Sequence, residues 1–129
     1  MLIVELILTN NLNLILVNKH QLRLRKFRVQ AFRCIHESGD IVVGDLAAFV
    51  GRNESGKTTI LQALTMLNRD EMVSELDLCD EMTERLKSEI RIVEGDFELN
   101  HDETEIIKEK FPSLNLTKLK IFRTNKNPE

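Results

Sequence analysis

The stretch of this chain with the least structural freedom is Gly51-Arg52-Asn53-Glu54-Ser55-Gly56-Lys57-Thr58-Thr59. It matches G-x-x-x-x-G-K-[ST], a spacing that makes a phosphate cradle only where a strand enters the loop and a helix leaves it. Both neighbours are legible. Leu46 to Val50, "LAAFV", is a continuous apolar run, the pattern of a strand buried on both faces. Beyond the loop, Ile60, Leu61, Leu64 and Leu67 recur at helical spacing, which predicts one helix from Lys57 to Asn68.

Each residue type in the loop has a separate physical use. Gly51 and Gly56 let the backbone curl so that successive N–H groups converge on phosphate oxygens with no Cβ in the way. A helix starting at Lys57 adds about half a positive charge at its N-terminus. Lys57 is placed to reach the β- and γ-phosphates, and the Thr58 hydroxyl to ligate Mg²⁺. The Thr59 N–H faces the α-phosphate, while its side chain either helps or only packs. The structural alternative for the whole stretch is a glycine turn between strand and helix that holds no ligand.

The rest of the chain supplies an α/β frame. "LRLRKFRVQAF", 22 to 32, places Leu22 and Leu24 on one face, then Phe27, Val29 and Ala31 at alternate positions, which predicts a strand. "ESGD", 37 to 40, marks a turn, and "IVV", 41 to 43, a further short apolar run. Residues 71 to 87 read as an acidic, partly amphipathic helix with Met72, Leu76, Met82 and Leu86 toward the core. "SEIRIVEGDFELN", 88 to 100, is a strand with a break or bulge at Gly95. "DETEIIKEKF", 102 to 111, is a short helix opened by Asp102, and "LTKLKIF", 116 to 122, a last strand. "NKNPE" at the end is polar and expected to fray. Residues 1 to 21 are either a hairpin around "TNN" or a loose extension, so the expected division is 1–21 and a phosphate-loop lobe at 22–129.

Composition limits the function classes. At 129 residues and 42% hydrophobic, the chain has enough apolar surface for one packed domain. With 18 basic and 21 acidic residues, its net charge of −3 gives no overall pull toward nucleic acid or anionic lipid. Cys34 and Cys79 belong to no Cys/His cluster, which points to a reduced, cytoplasmic chain without a zinc site. Glu5, Asn10, Asn11 and Asn13 interrupt the apolar N-terminus, so no membrane span is expected.

Binding a nucleotide is not hydrolysing it. Turnover needs carboxylates that help hold Mg²⁺ and orient water, usually at the end of a buried strand. Asp70-Glu71, Asp80-Glu81 and Asp102-Glu103 are the candidate pairs, and none follows a convincing strand. "LDLCDE", 76 to 81, comes nearest, but Asp77 breaks its apolar run. His20, His36 and His101 fit surface or turn positions. The residues describe half of a nucleotide-hydrolysing site.

"KFRVQAFRCI" followed by "DLAAFVGRNESGKTTILQAL" resembles the N-terminal lobe of ABC-type ATPases related to the structural-maintenance-of-chromosomes proteins. It is most similar to the AAA-family ATPases that include the overcoming-lysogenization-defect (OLD) nucleases. Phe32, Arg33 and Ile35 match that group's F-R-x-[IF] strand end, and Gly51 to Thr59 its G-[KR]-N-x-[SA]-G-K-[ST]-[TS] loop. The likeness is strong over 22 to 67 and weaker over 92 to 111. It implies a partial P-loop NTPase fold, a mixed sheet with the loop's helix packed on it.

The resemblance further implies ATP and Mg²⁺ as ligands, held by Gly51, Asn53, Glu54, Ser55, Gly56, Lys57, Thr58 and Thr59, with Thr58 on the metal. Arg33 and Asn53 fall at positions near the nucleotide in that group; by its residue type alone, Arg33 is equally an exposed strand-end residue. Relatives of this kind act on DNA in repair or phage defence and dimerise head to head. Their signature segment, Walker B carboxylates and switch histidine lie in a C-terminal lobe, often beside a nuclease domain. None of these is legible here. The expected function is therefore ATP binding, with hydrolysis completed by a C-terminal lobe, a second copy, or a complementary ATPase or nuclease chain. Two alternatives stay open: a non-catalytic interaction module that retains the loop, and a small self-sufficient kinase or phosphatase using Asp80 and Glu81.

Overall fold

A computed structural model describes residues 4–5, 22–52, 56–68 and 73–126. Its frame is a six-stranded mixed sheet with helices. In chain order the elements are β1 (Val4–Glu5), β2 (Arg23–Phe32), β3 (Ile35–Glu37), β4 (Ile41–Val42), α1 (Lys57–Thr65), α2 (Thr83–Leu86), β5 (Arg91–Glu98), α3 (His101–Lys110) and β6 (Lys118–Thr124). The sheet order is β1-β6-β5-β2-β3, with β4 also paired to β2. Only β1 runs parallel to its partner, matching Val4 to Leu119; the other pairings are antiparallel. The predicted α/β class, with the loop's helix against a mixed sheet, is the observed one.

The change of parity in the β2 sequence has a structural cause. Leu24 pairs with Phe97 and Lys26 with Asp96, so the register shifts between them and Arg25 is the extra residue. A bulge of this kind turns the following side chains to the other face. Leu24 and Phe27, an odd number of residues apart, therefore both pack with the core. Phe27, Val29, Ala31, Ile92, Leu119 and Ile121 are buried there, under Ala63 of α1 and the 3₁₀ turn Met66–Asn68 that continues it. Burying the Phe, Val, Ile and Leu side chains among these contributes about 1.5–3 kcal/mol each. The opposite face carries ion pairs: Lys26 reaches Asp40 at 3.1 Å and Asp96 at 3.4 Å, and Lys120 reaches Asp96 at 3.1 Å and Glu94 at 3.7 Å.

Five expectations need correction. Leu46 to Val50 forms no strand, and Leu46 and Val50 are 90% and 94% exposed. An apolar run becomes a buried strand only when neighbours hydrogen-bond its edges, and none among the described residues does so. Residues 73 to 87 are not one helix but two 3₁₀ turns, Glu75–Asp77 and Asp80–Met82, followed by the single turn α2. The end of β2 recruits their backbone instead: Arg33 N–H donates to the Asp77 carbonyl at 2.7 Å, and Cys79 N–H to the Ala31 carbonyl at 3.0 Å.

Gly95 does not break β5, which runs unbroken through it. A Cβ there would come within 2.9 Å of Leu67 Cδ1 and 3.1 Å of Leu24 Cδ1, so the glycine provides room for close packing. Asn100, not Asp102, opens α3, in a capping box with Glu103. Asn125 does not fray, since its side chain bonds the Ile90 N–H and the Leu86 and Ser88 carbonyls. The proposed hairpin turn at 9–11 and the terminal residues 127–129 lie outside the described residues.

Candidate nucleotide site

The glycine loop ends where α1 begins. Gly56 is the N-cap residue in the left-handed region, at φ 85° and ψ 4°. A residue with a Cβ adopts that conformation only at a cost, which accounts for glycine here. Among the described residues no side chain caps this helix, and its first turn contains no acidic residue. The Ile60 N–H already bonds the Gly56 carbonyl at 2.9 Å. The Lys57, Thr58 and Thr59 N–H groups precede it, where a helix offers no internal acceptor. Thr58 is exposed and Thr59 half-buried.

Lys57 folds back over the loop, its ammonium donating to the Gly51 carbonyl at 2.8 Å and to the Arg52 carbonyl. The lysine thereby spans the loop opening from the helix side. Asn53, Glu54 and Ser55 lie outside the described residues. The uncapped helix start, the ammonium and the absence of a carboxylate in the first turn fit a polyphosphate. An exposed Thr58 hydroxyl beside them fits a Mg²⁺ that keeps most of its ligands as water and phosphate.

Arg33 reaches the same helix from the other side. It sits in the tight turn between β2 and β3 with φ at 50°, uncommon for a residue with a side chain. Its guanidinium Nε donates to Asp77 Oδ1 at 2.8 Å, its Nη1 donates to Gln62 Oε1 on α1, and its Cζ stands 5.3 Å from the Phe32 ring centroid. Cys34, next in the turn, has its Sγ 3.8 Å from Thr59 Oγ1. A Cβ on Gly56 would meet that same sulfur and Ile35 Cγ1, each at 3.9 Å. The β2–β3 tip is therefore wedged against the first turns of α1. Asp77 and Gln62 were not legible as partners, because they lie 44 and 29 residues from Arg33.

The carboxylate pairs have structural occupations. Glu81 bonds the His36 imidazole at 2.7 Å. Glu103 is buried, and its Oε2 accepts from the Asn100 N–H at 2.8 Å. Asp80 begins a 3₁₀ turn, and Asp102, beyond the end of β5, lies in the first turn of α3 rather than at the strand's end. Asp70 and Glu71 lie outside the described residues. His101 starts α3, and His20 is also outside the described residues.

The family described as AAA ATPase domain matches residues 23–129. An uncharacterized protein of Methanocaldococcus jannaschii is 32% identical over 102 residues, covering 77% of this chain and 29% of that protein. An OLD nuclease of Thermus scotoductus is 45% identical over 47 residues, covering 36% of this chain and 9% of the nuclease. The chain thus spans less than a third of the length of either relative. No solved structure matches. Among the described residues, no helix is long and apolar enough to cross a membrane.

Proposed function

The chain belongs to the AAA ATPase domain family, and from that premise we propose that it holds ATP through Gly51 to Thr59, with Mg²⁺ on the Thr58 hydroxyl. The observation that carries this reading is the uncapped, left-handed start of α1 at Gly56, joined to a lysine already drawn over the loop carbonyls. Gly51, Asn53, Glu54, Ser55 and Gly56 shape the loop, Lys57 balances β- and γ-phosphate charge, and the Thr59 N–H takes the α-phosphate. ATP supplies a cleavable anhydride and Mg²⁺ the neutralising charge; the chain's own residues bind, orient and shield. Arg33, held by Asp77 and Gln62, faces the nucleotide from the hairpin side.

Hydrolysis in this reading is completed by groups that a further lobe, a second copy or a complementary chain brings to the loop. The exposed Leu46 and Val50, on either side of a Phe49 that packs against Phe27, support such association. The likeness to an OLD nuclease supports DNA as the eventual target, in repair or phage defence. Cys34 and Cys79 are both free thiols, which suits a reducing cytoplasm. A self-sufficient kinase using Asp80 and Glu81 is disfavoured by the His36–Glu81 contact.

Titration with a fluorescent ATP analogue in Mg²⁺ tests the assignment. Saturable binding by the parent chain, weakened at least tenfold by Lys57→Ala and accompanied by negligible turnover, is the expected result. No binding by the parent chain, or a Lys57-dependent turnover in the absence of any partner, would overturn it.

A further inference from the structure

The backbone of residues 74–82 meets the sheet at one place, and that place is strained. Among the described residues it bonds the sheet through the Cys79 N–H on the Ala31 carbonyl, at 3.0 Å, and the Arg33 N–H on the Asp77 carbonyl, at 2.7 Å. The two bonds flank a single bridge from Phe32 to Leu78. Among the described residues, Ala31 and Arg33 are also the two that combine a side chain with a positive φ, at 52° and 50°. Left-handed backbone opposes a Cβ, so it persists only where surrounding contacts hold it in place.

Side chains close the same junction: Arg33 Nε donates to Asp77 Oδ1 at 2.8 Å, and the Glu81 carboxylate meets His36 Nε2 at 2.7 Å. Within 74–82 the chain satisfies backbone groups of its own. The Asp77 N–H donates to the Ser74 carbonyl at 2.9 Å, the Leu78 N–H to the Glu75 carbonyl at 3.2 Å and the Met82 N–H to the Cys79 carbonyl at 3.0 Å. A segment bonded internally and attached at one strand end can leave as a unit at little cost in backbone hydrogen bonds. Little apolar surface resists that, since Leu76 is 92% exposed and Cys79, at 3%, is the one buried residue of 74–82. By contrast, β5 is tied along its length to both β2 and β6. Beyond Leu86 the chain is pinned again by Asn125, through the Leu86 and Ser88 carbonyls and the Ile90 N–H.

We propose that residues 74–82 form a strap that lifts from the end of β2 while the sheet stays folded, with Asp77 as its latch. Strain at Ala31 and Arg33 lowers the cost of release, because both residues relax to ordinary backbone once the strap has left. Lifting uncovers the Cys79 thiol. It also frees Arg33, whose Nη1 donates to Gln62, so the strap is coupled to α1 through that arginine. The device needs no ligand at the glycine loop.

Thiol labelling tests this. The full chain with Cys34→Ser keeps Cys79 as its one thiol, and its reaction with N-ethylmaleimide in native buffer is followed by mass spectrometry. Local opening gives a labelling rate that hardly responds to low urea, because little surface is uncovered. Asp77→Ala speeds it about tenfold, and the more exposed Glu81→Gln about twofold. Ala31→Gly keeps the bond to Cys79 but removes the opposed Cβ, and slows labelling about fivefold. Ile121→Val, on β6, weakens the sheet and leaves the rate within about a factor of two. Should Asp77→Ala fail to fold, Glu81→Gln and Ala31→Gly decide, since they shift the rate in opposite directions. A rate that rises steeply with urea and responds to Ile121→Val as it does to Asp77→Ala would mean that only global unfolding uncovers Cys79, and would overturn the strap. No labelling of the native chain, or faster labelling with Ala31→Gly, would overturn it as well.

Discussion

The antiparallel half of the sheet and the segment that enters the glycine loop contain equally apolar sequence and meet opposite fates. In β2, β5 and β6, every strand edge toward the middle is paired, and Val29, Ile92 and Val93 are wholly buried. Leu46 to Val50 is a denser apolar run, yet it forms no strand and its ends stand almost fully in solvent. Hydrophobicity is the same kind of driving force in both places; paired backbone makes the difference. A strand must satisfy its N–H and C=O groups before burial of its side chains is favourable. The closed half therefore supplies stability, and the open half leaves a surface beside the candidate nucleotide site.

Substitutions in the two halves should separate this comparison most widely. Ile92→Ala should cost about 2–5 kcal/mol in denaturant unfolding. Val50→Ser, at an exposed position, should stay within about 0.5 kcal/mol of the parent. Similar losses at the two sites would show that 46–50 is packed after all. Gly95→Ala probes the closed half from the opposite direction. Its added methyl would press on Leu67 and Leu24 at 2.9 and 3.1 Å, and should destabilise by about 1–3 kcal/mol. An unchanged unfolding midpoint would mean that the contact is loose.

A smaller effect is expected at the edge of the packed half. Asn100→Ala removes the acceptor for the Glu103 N–H at 2.8 Å and should cost about 1 kcal/mol, whereas Asp102→Ala should cost less. The reverse order would restore Asp102 as the cap.

The smallest effect is electrostatic, on the sheet's outer face. Hydrogen bonding to Asp40, then to Asp96, raises the Lys26 ammonium above its ordinary 10.5, and hydrogen bonding from Lys26 lowers the Asp40 carboxyl below its ordinary 3.8. The contribution of Asp40 is thus present above 3.8 and lost as pH falls through its lowered folded value. That of Lys26 is present below 10.5 and lost as pH rises through its raised folded value. The difference in urea midpoint between the parent chain and Lys26→Met should be flat across neutral pH and shrink at both extremes. A difference that grows toward acid would contradict the pairing.

Much of the frame was legible because it depends on local pattern. The parity change between Leu24 and Phe27 corresponds to the bulge at Arg25, and the helical spacing after Lys57 marks the start of α1, although the expected helix to Asn68 is α-helical only to Thr65 and ends in a 3₁₀ turn. What stayed hidden depends on groups distant in sequence. Residues 73 to 82 look helical in isolation, but the end of β2 takes their backbone at Asp77 and Cys79. The run at 46–50 announces burial without saying whether its partner is present. At the candidate site, Gly51, Gly56, Lys57 and Thr58 follow from spacing. Gln62 and Asp77 show no motif, because their only tie to Arg33 is the fold that brings the hairpin tip against α1.

The central claim is that the backbone start of α1 receives phosphate while the segment before it stays open. Amide hydrogen exchange of the chain, with and without ATP and Mg²⁺, measures both at once. Slowed exchange at Lys57, Thr58 and Thr59, absent in Lys57→Ala and not extending to residues 46 to 50, is the predicted result. Unchanged exchange at those three amides in saturating ATP would contradict the account.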